Sequence, residues 1–189
     1  MDIKNINTNK VLLNRCFSSK INIVGKVGKI CIDYYNKNKI ATVIKHIPGH
    51  GLSKQDSHFK LPIIKHSKSY LKKNDFKAFI KSNSLFSMTA HIIYSSYDQL
   101  NSATHSKTII KNVIRKFIRF KGIIISDDIS MKALKYDLVT NATKALDAGC
   151  NLVLHCNGKI KEMKKLAKIV PRIDIFTKKK TSQFYKFLR

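Results

Sequence analysis

Four short apolar runs punctuate the chain: residues 41–47 (ATVIKHI), 85–90 (LFSMTA), 122–126 (GIIIS) and 151–155 (NLVLH). Each is mostly apolar rather than cleanly alternating, the pattern of buried parallel strands covered on both faces. Helical patterns lie around them. Residues 24–35 precede the first run, and 75–81 form a short, polar-faced segment. Residues 106–120 place Ile109, Ile110, Val113, Ile114 and Phe117 on one helical stripe. Residues 140–148 lead into Gly149, a natural helix stop, and 159–169 follow the last run. Pro171 then breaks the pattern, and the Lys-rich remainder reads as a frayed helix or tail.

The order is one helix followed by four strand–helix units, each about 30–45 residues long, as expected of βα units. Such alternation implies an α/β fold with a parallel sheet and right-handed crossovers. A complete (β/α)8 barrel typically takes about 250 residues. Four strands in 189 residues are half of one. The chain therefore divides into one partial domain, residues 1–170, and a basic C-terminal tail, residues 171–189. No Gly-x-Gly-x-x-Gly or Walker loop supports a nucleotide fold.

Composition changes this picture little. The formal charge of +26 invites a reading as a non-catalytic basic module that binds nucleic acid or another anionic partner. The cations are nearly all Lys, however, spread along the whole chain with abundant Ile and Asn. Arg, the better reader of phosphates and base edges, is scarce. That distribution fits an AT-biased coding sequence better than a basic groove. No apolar stretch is long enough to span a bilayer, and the N-terminal residues lack a secretory h-region. The expected location is cytoplasmic, away from membranes. Cys16, Cys31, Cys150 and Cys156 form no CxxC pair and read as reduced thiols.

In α/β folds, chemistry collects at the C-terminal ends of strands. Here those ends carry Lys45-His46-Ile47-Pro48-Gly49-His50-Gly51, then His91, then Asp127-Asp128, then His155. Asp56 and His58, two residues apart, face the same way in an extended segment. The carboxylate can then fix the imidazole tautomer and raise its basicity. Each feature has a plainer reading. Asp-x-His is often only a loop hydrogen bond. His46, His50 and His58 could hold a metal, although the spacing is not HExxH. His91 and His155 could be hydrogen-bonded core histidines, and Asp128 a helix N-cap. Asp127, one step beyond GIIIS, is better placed to face a pocket.

Together these segments resemble the bacterial β-N-acetylglucosaminidases of glycoside hydrolase family 3, the β-hexosaminidases of peptidoglycan recycling. KHIPGHG followed by DSH resembles the family's KHFPGHG…DSH. SMTAHIIY resembles its AHxxY strand, GIIISDDISM its SDDLxM segment, and DAGCNLVLHCNG its DAGCDxxLxCN segment. The resemblance runs from about residue 12 to about 170. It implies that Asp56 and His58 are the acid/base dyad and Asp127 the nucleophile of a retaining glycosidase that needs no metal or organic cofactor. It implies that Lys45 and His46 contact N-acetylglucosamine. Asn14-Arg15-Cys16-Phe17 resembles the family's G-x-R-S-(F/Y), with Asn and Cys replacing Gly and Ser, so Arg15 is a further sugar contact. The implied substrates are N-acetylglucosaminyl cell-wall fragments of the anhydromuramyl type.

The motifs belong to the last four strands of the family's barrel. The D-Q-E-G-G-R segment of the first half, with its sugar-gripping Asp, has no counterpart here. The implied partner is a separate N-terminal half-barrel or a second copy of the chain, and an isolated half-barrel is expected to be impaired.

Overall fold

A computed structural model describes residues 1–6, 8–57 and 59–189. His58 lies outside the described residues. Helices α1 (Lys10–Leu13) and α2 (Ile21–Lys37) precede strand β1 (Val43–Ile47). Then come β2 (Ile63–Ile64), α3 (Lys68–Lys73), a 3-10 helix (Asp75–Phe79), β3 (Phe86–Thr89) and β4 (Ile93–Tyr94). A π-helix (Ile109–Phe117), β5 (Ile123–Asp128), α4 (Leu138–Ala148), β6 (Leu152–Leu154), α5 (Ile160–Ile169) and α6 (Ile175–Leu188) complete the chain.

The four expected strands are β1, β3, β5 and β6. They form one all-parallel sheet in that order. Sequential strands thus lie side by side, as in one half of a barrel. The short strands β2 and β4 pair separately, also in parallel. The register of the main sheet slips twice, between Ile44 and Ile47 on β1 and between Ile125 and Asp128 on β5. Both slips sit at C-terminal strand ends, where such irregularities redirect side chains.

Expectation and structure differ on which faces are covered. On β1, β3 and β5, Ile44, His46, Ser87, Thr89, Ile124 and Ser126 are buried on one face. On the opposite face Val43, Lys45, Phe86, Met88 and Ile125 are only half-buried or exposed, while Ile123 is buried. The helices between the strands cover one side, and on the other Phe184 of α6 meets Phe86. In a barrel the other side is the lumen, filled by side chains from strands all round the ring. Half a ring leaves it partly open. The outer edges of β1 and β6 are unpaired among the described residues, and exposed Val43 and Leu152 lie on them.

The core lies between the sheet and its helices, with Val24, Ile32, Phe76, Phe79, Ile109, Val113 and Ile114 around Ile44 and Ile124. Residues 75–81, expected to be polar-faced, are the reverse. Asp75, Phe76, Ala78 and Phe79 are all buried, because 3-10 winding brings positions three apart, such as Phe76 and Phe79, onto one side. The helix expected over 106–120 is wound as a π-helix, with the Ile118 amide donating to the Val113 carbonyl. That winding buries Ile118 and leaves Phe117 packed at the margin of the core. Gly149, at φ 112°, ends α4 in the left-handed conformation that glycine adopts without strain.

Residues 171–189, expected as a frayed helix or tail, contain the 14-residue helix α6, docked against the sheet. Asp174 caps it, its carboxylate accepting from the Thr177 amide. Asn151 Nδ2 donates to Thr177 Oγ1, and Phe184 packs edge-on against Phe86. Arg115 anchors this end. Its guanidinium donates to the Phe120 and Gly122 carbonyls and to Asn151 Oδ1, and it lies against the Phe120 and Phe176 rings. Lys cannot reproduce that planar fork. Arg115→Lys is expected to lower unfolding stability by about 2 kcal/mol, the loss of charge-assisted bonds to carbonyls. Urea denaturation checks this, and an unchanged midpoint contradicts it.

Candidate active site

The C-terminal ends of β1 and β5 and the segment around α1 converge on one cavity. It is lined by Asn9, Val11, Leu12, Arg15, Lys45, His46, His50, Gln55, Asp56, Ser57 and Asp127. Of the six residues singled out from sequence, Arg15, Lys45, His46, Asp56 and Asp127 meet here; His58 lies outside the described residues. The cavity measures about 110 Å³, less than the roughly 300 Å³ at which small-ligand pockets begin.

Lys45 and His46 reach the cavity from the C-terminal end of β1, just before the turn Pro48-Gly49-His50-Gly51. The turn is buried, so its peptide groups need partners. The fully buried Tyr94 hydroxyl donates to the Gly49 carbonyl, and Thr8 Oγ1 donates to the Gly51 carbonyl at 2.7 Å. A Cβ on Gly51 would lie 1.9 Å from the Ile3 carbonyl oxygen, so only glycine lets the N-terminal segment seat there.

That segment brings Asp2, a residue the strand-end argument did not find. Its carboxylate accepts from the His50 amide at 2.7 Å and from the His46 amide at 3.1 Å. It also bonds His46 Nδ1 at 2.7 Å. Burial works to raise the Asp2 pKa, but its electrostatic and hydrogen-bonding partnership with His46 prevails and holds it well below the usual carboxylate range.

His50 closes the next link. Its Nε2 lies 2.9 Å from Ser57 Oγ, tying the turn after β1 to the segment that carries Asp56 and Ser57. Burial lowers the His50 pKa to about 4, so the ring is neutral near pH 7. His46 and His50 pack edge-on, with ring centroids 5.3 Å apart. His46 Nδ1 and His50 Nε2 are thus committed to side chains. Among the described residues, no three His, Cys, Asp or Glu side chains are grouped to hold a metal ion.

Asp127 sits at the end of β5, half-buried, its Oδ1 accepting from the Asp128 amide at 2.8 Å. Asp128 turns away from the cavity. It accepts from Ser130 and from the Cys156 amide, tying the ends of β5 and β6 together; it caps no helix. His91 is fully buried. Its Nδ1 is 2.7 Å from Thr104 Oγ1 and its Nε2 3.0 Å from the Asp128 carbonyl. Burial lowers its pKa, so it is a neutral brace beneath the Asp127–Asp128 turn. His155 Nε2 bonds Glu162 at 2.8 Å, beyond β6 and outside the cavity. Both are the hydrogen-bonded histidines of the plainer reading.

The description that matches residues 1–184 is the glycosyl hydrolase family 3 N-terminal domain. The chain belongs to this family. It is 38% identical over 156 residues to a β-hexosaminidase of Hydrogenovibrio crunogenus, covering 80% of this chain and 43% of that protein. It is 37% identical over 150 residues to a β-hexosaminidase of Haemophilus influenzae, covering 76% and 42%. Among solved structures, NagZ from Neisseria gonorrhoeae, crystallised with N-trifluoroacetyl-D-glucosamine, superposes with a TM-score of 0.84 at 25% identity. That match covers 100% of this chain and 53% of the other. A family 3 β-N-acetylglucosaminidase from Paenibacillus sp. str. FPU-7 superposes at 0.85 and 25% identity, covering 98% and 38%. The chain thus spans about half the length, or less, of these relatives.

Beneath the turn lies a second acid. Asp75 is buried against Gly49, and burial, reinforced by Asp2, raises its pKa to about 8. The folded protein therefore holds a proton on Asp75 that the unfolded chain has released above about pH 4. Folded-state proton uptake makes stability fall as pH rises through this window. Asp75→Asn, which mimics the protonated acid, should gain stability relative to the unsubstituted chain between pH 4 and 8, by chemical denaturation across that range. Parallel stability curves would contradict a buried, protonated Asp75.

Proposed function

We propose that this chain carries the catalytic half of a retaining β-N-acetylhexosaminidase. One observation carries the reading: Arg15, Lys45, His46, Asp56 and Asp127, drawn from three separate stretches of sequence, line a single cavity. Asp127 is the nucleophile and attacks the anomeric carbon. His58, oriented by Asp56, protonates the leaving oxygen, then as a base activates the water that releases the sugar with retained configuration. Lys45, His46 and Arg15 grip the N-acetyl sugar. The relatives' names support a β-N-acetylhexosaminide as substrate. The finer reading is release of terminal N-acetylglucosamine from anhydromuramyl cell-wall fragments, in the cytoplasm, during peptidoglycan recycling.

The same reading assigns a partner. The small cavity, the open lumen face and the two unpaired sheet edges are what half a barrel presents. Four further βα units, on this polypeptide or another, complete the sugar pocket, and these 189 residues alone are impaired. Open edges and apolar surface favour such association.

The test is hydrolysis of a chromogenic β-N-acetylglucosaminide, with the N-terminal half of a relative supplied. Turnover should rise at least ~10-fold over the chain alone, since completing the pocket supplies the missing orientation. Asp127→Ala should abolish it. A folded, complemented chain that turns over no substrate, or an Asp127→Ala variant that still does, would overturn the proposal.

A further inference from the structure

His46 enters the cavity with one ring nitrogen already committed. Nδ1 meets Asp2 Oδ2 at 2.7 Å, and the same carboxylate takes the His46 and His50 amides. Both partners are almost wholly buried. An ionised carboxylate can only accept, so the nitrogen facing it must carry a proton. In neutral imidazole the proton on one nitrogen makes the other an acceptor. Free histidine favours the opposite tautomer, with the proton on Nε2.

We propose that Asp2 is a positioning residue that holds the proton on His46 Nδ1 and so leaves Nε2 as a hydrogen-bond acceptor toward a sugar hydroxyl in the cavity. The assignment of that ligand rests on the function proposed above; the tautomer does not. Backbone and side chain are fixed by one group. Asp2 Oδ1 sets the turn through the His50 amide, while Oδ2 sets the ring. A hydroxyl donating to Nε2 binds only while Nε2 is unprotonated, so Asp2 selects for a donor at that position.

Asp2→Asn separates this role from simple packing. A carboxamide has one acceptor oxygen. The His50 amide is an obligate donor and claims it, so the NH2 group faces His46 Nδ1. The ring must then accept at Nδ1 and carry its proton on Nε2. The experiment is 15N NMR of the full chain labelled at histidine, with His46 assigned by comparison with His46→Gln and spectra taken where the ring is neutral. The unsubstituted chain should show His46 protonated on Nδ1, and Asp2→Asn should show it protonated on Nε2. In the complemented enzyme, Asp2→Asn should raise KM roughly tenfold, with kcat changed by less than about threefold.

An Nε2-protonated His46 in the unsubstituted chain would overturn the proposal, and that spectrum decides even if Asp2→Asn fails to fold. An identical tautomer in both proteins would also overturn it, as would a fall in kcat at unchanged KM. Absence of glycosidase turnover with the tautomers as expected would instead count against the proposed function alone.

Discussion

The turn from His46 to Gly51 leaves the sheet but does not reach solvent, and its buried peptide groups must be satisfied by side chains. The donors and acceptors come from far along the chain. Asp2 takes the amides of His46 and His50, Thr8 serves the Gly51 carbonyl, and Tyr94 serves the Gly49 carbonyl. Leaving one such group unsatisfied costs about 1–3 kcal/mol. The N-terminal segment, β1 and β4 therefore have to arrive together. Once they do, Lys45 and His46 face the cavity, and His50 is placed to hold Ser57 in the loop that bears Asp56.

A similar logic holds the other wall. Asp127 belongs to β5, but the turn beyond it is fixed by neighbours on both sides: His91, just beyond β3, through the Asp128 carbonyl, and the chain after β6 through the Asp128 carboxylate. Neutral buried histidines suit such bracing, because they bond at both nitrogens without adding charge beside an acid. Asp127 lines the cavity, and Asp2 sits directly behind it on His46. The fold thus separates bracing from candidate chemistry, and both depend on parallel strands ending at one level.

Much of this was legible in the sequence because parallel strands are short apolar runs and their ends are punctuated by polar residues. The four runs gave the strands of the main sheet, and Gly149 gave the end of α4. Where the reading failed, the cause is physical. Residues 75–81 look polar in helical projection, yet 3-10 winding buries Phe76 and Phe79 together. Residues 171–189, expected as a frayed helix or basic tail, do hold a helix, and its docking rests on Thr177, Phe176 and Phe184. Asp2 was invisible for another reason: its partners lie more than 40 residues away, and no local pattern marks a long-range carboxylate. The open lumen face escaped the pattern as well, since an apolar run does not say whether both its faces are covered by the same polypeptide.

The proposed chemistry turns on Asp127 as the nucleophile of a two-step displacement. Its most direct test is covalent trapping. Chain that is complemented and turning over substrate is treated with a fluorinated N-acetylglucosaminyl donor that slows release of the glycosyl-enzyme, and the digested protein is mapped by mass spectrometry. A sugar ester on the peptide that contains Asp127, localised to its carboxylate by fragmentation, is the predicted result. An adduct on Asp56 or Asp128, or no adduct while turnover continues, would contradict it.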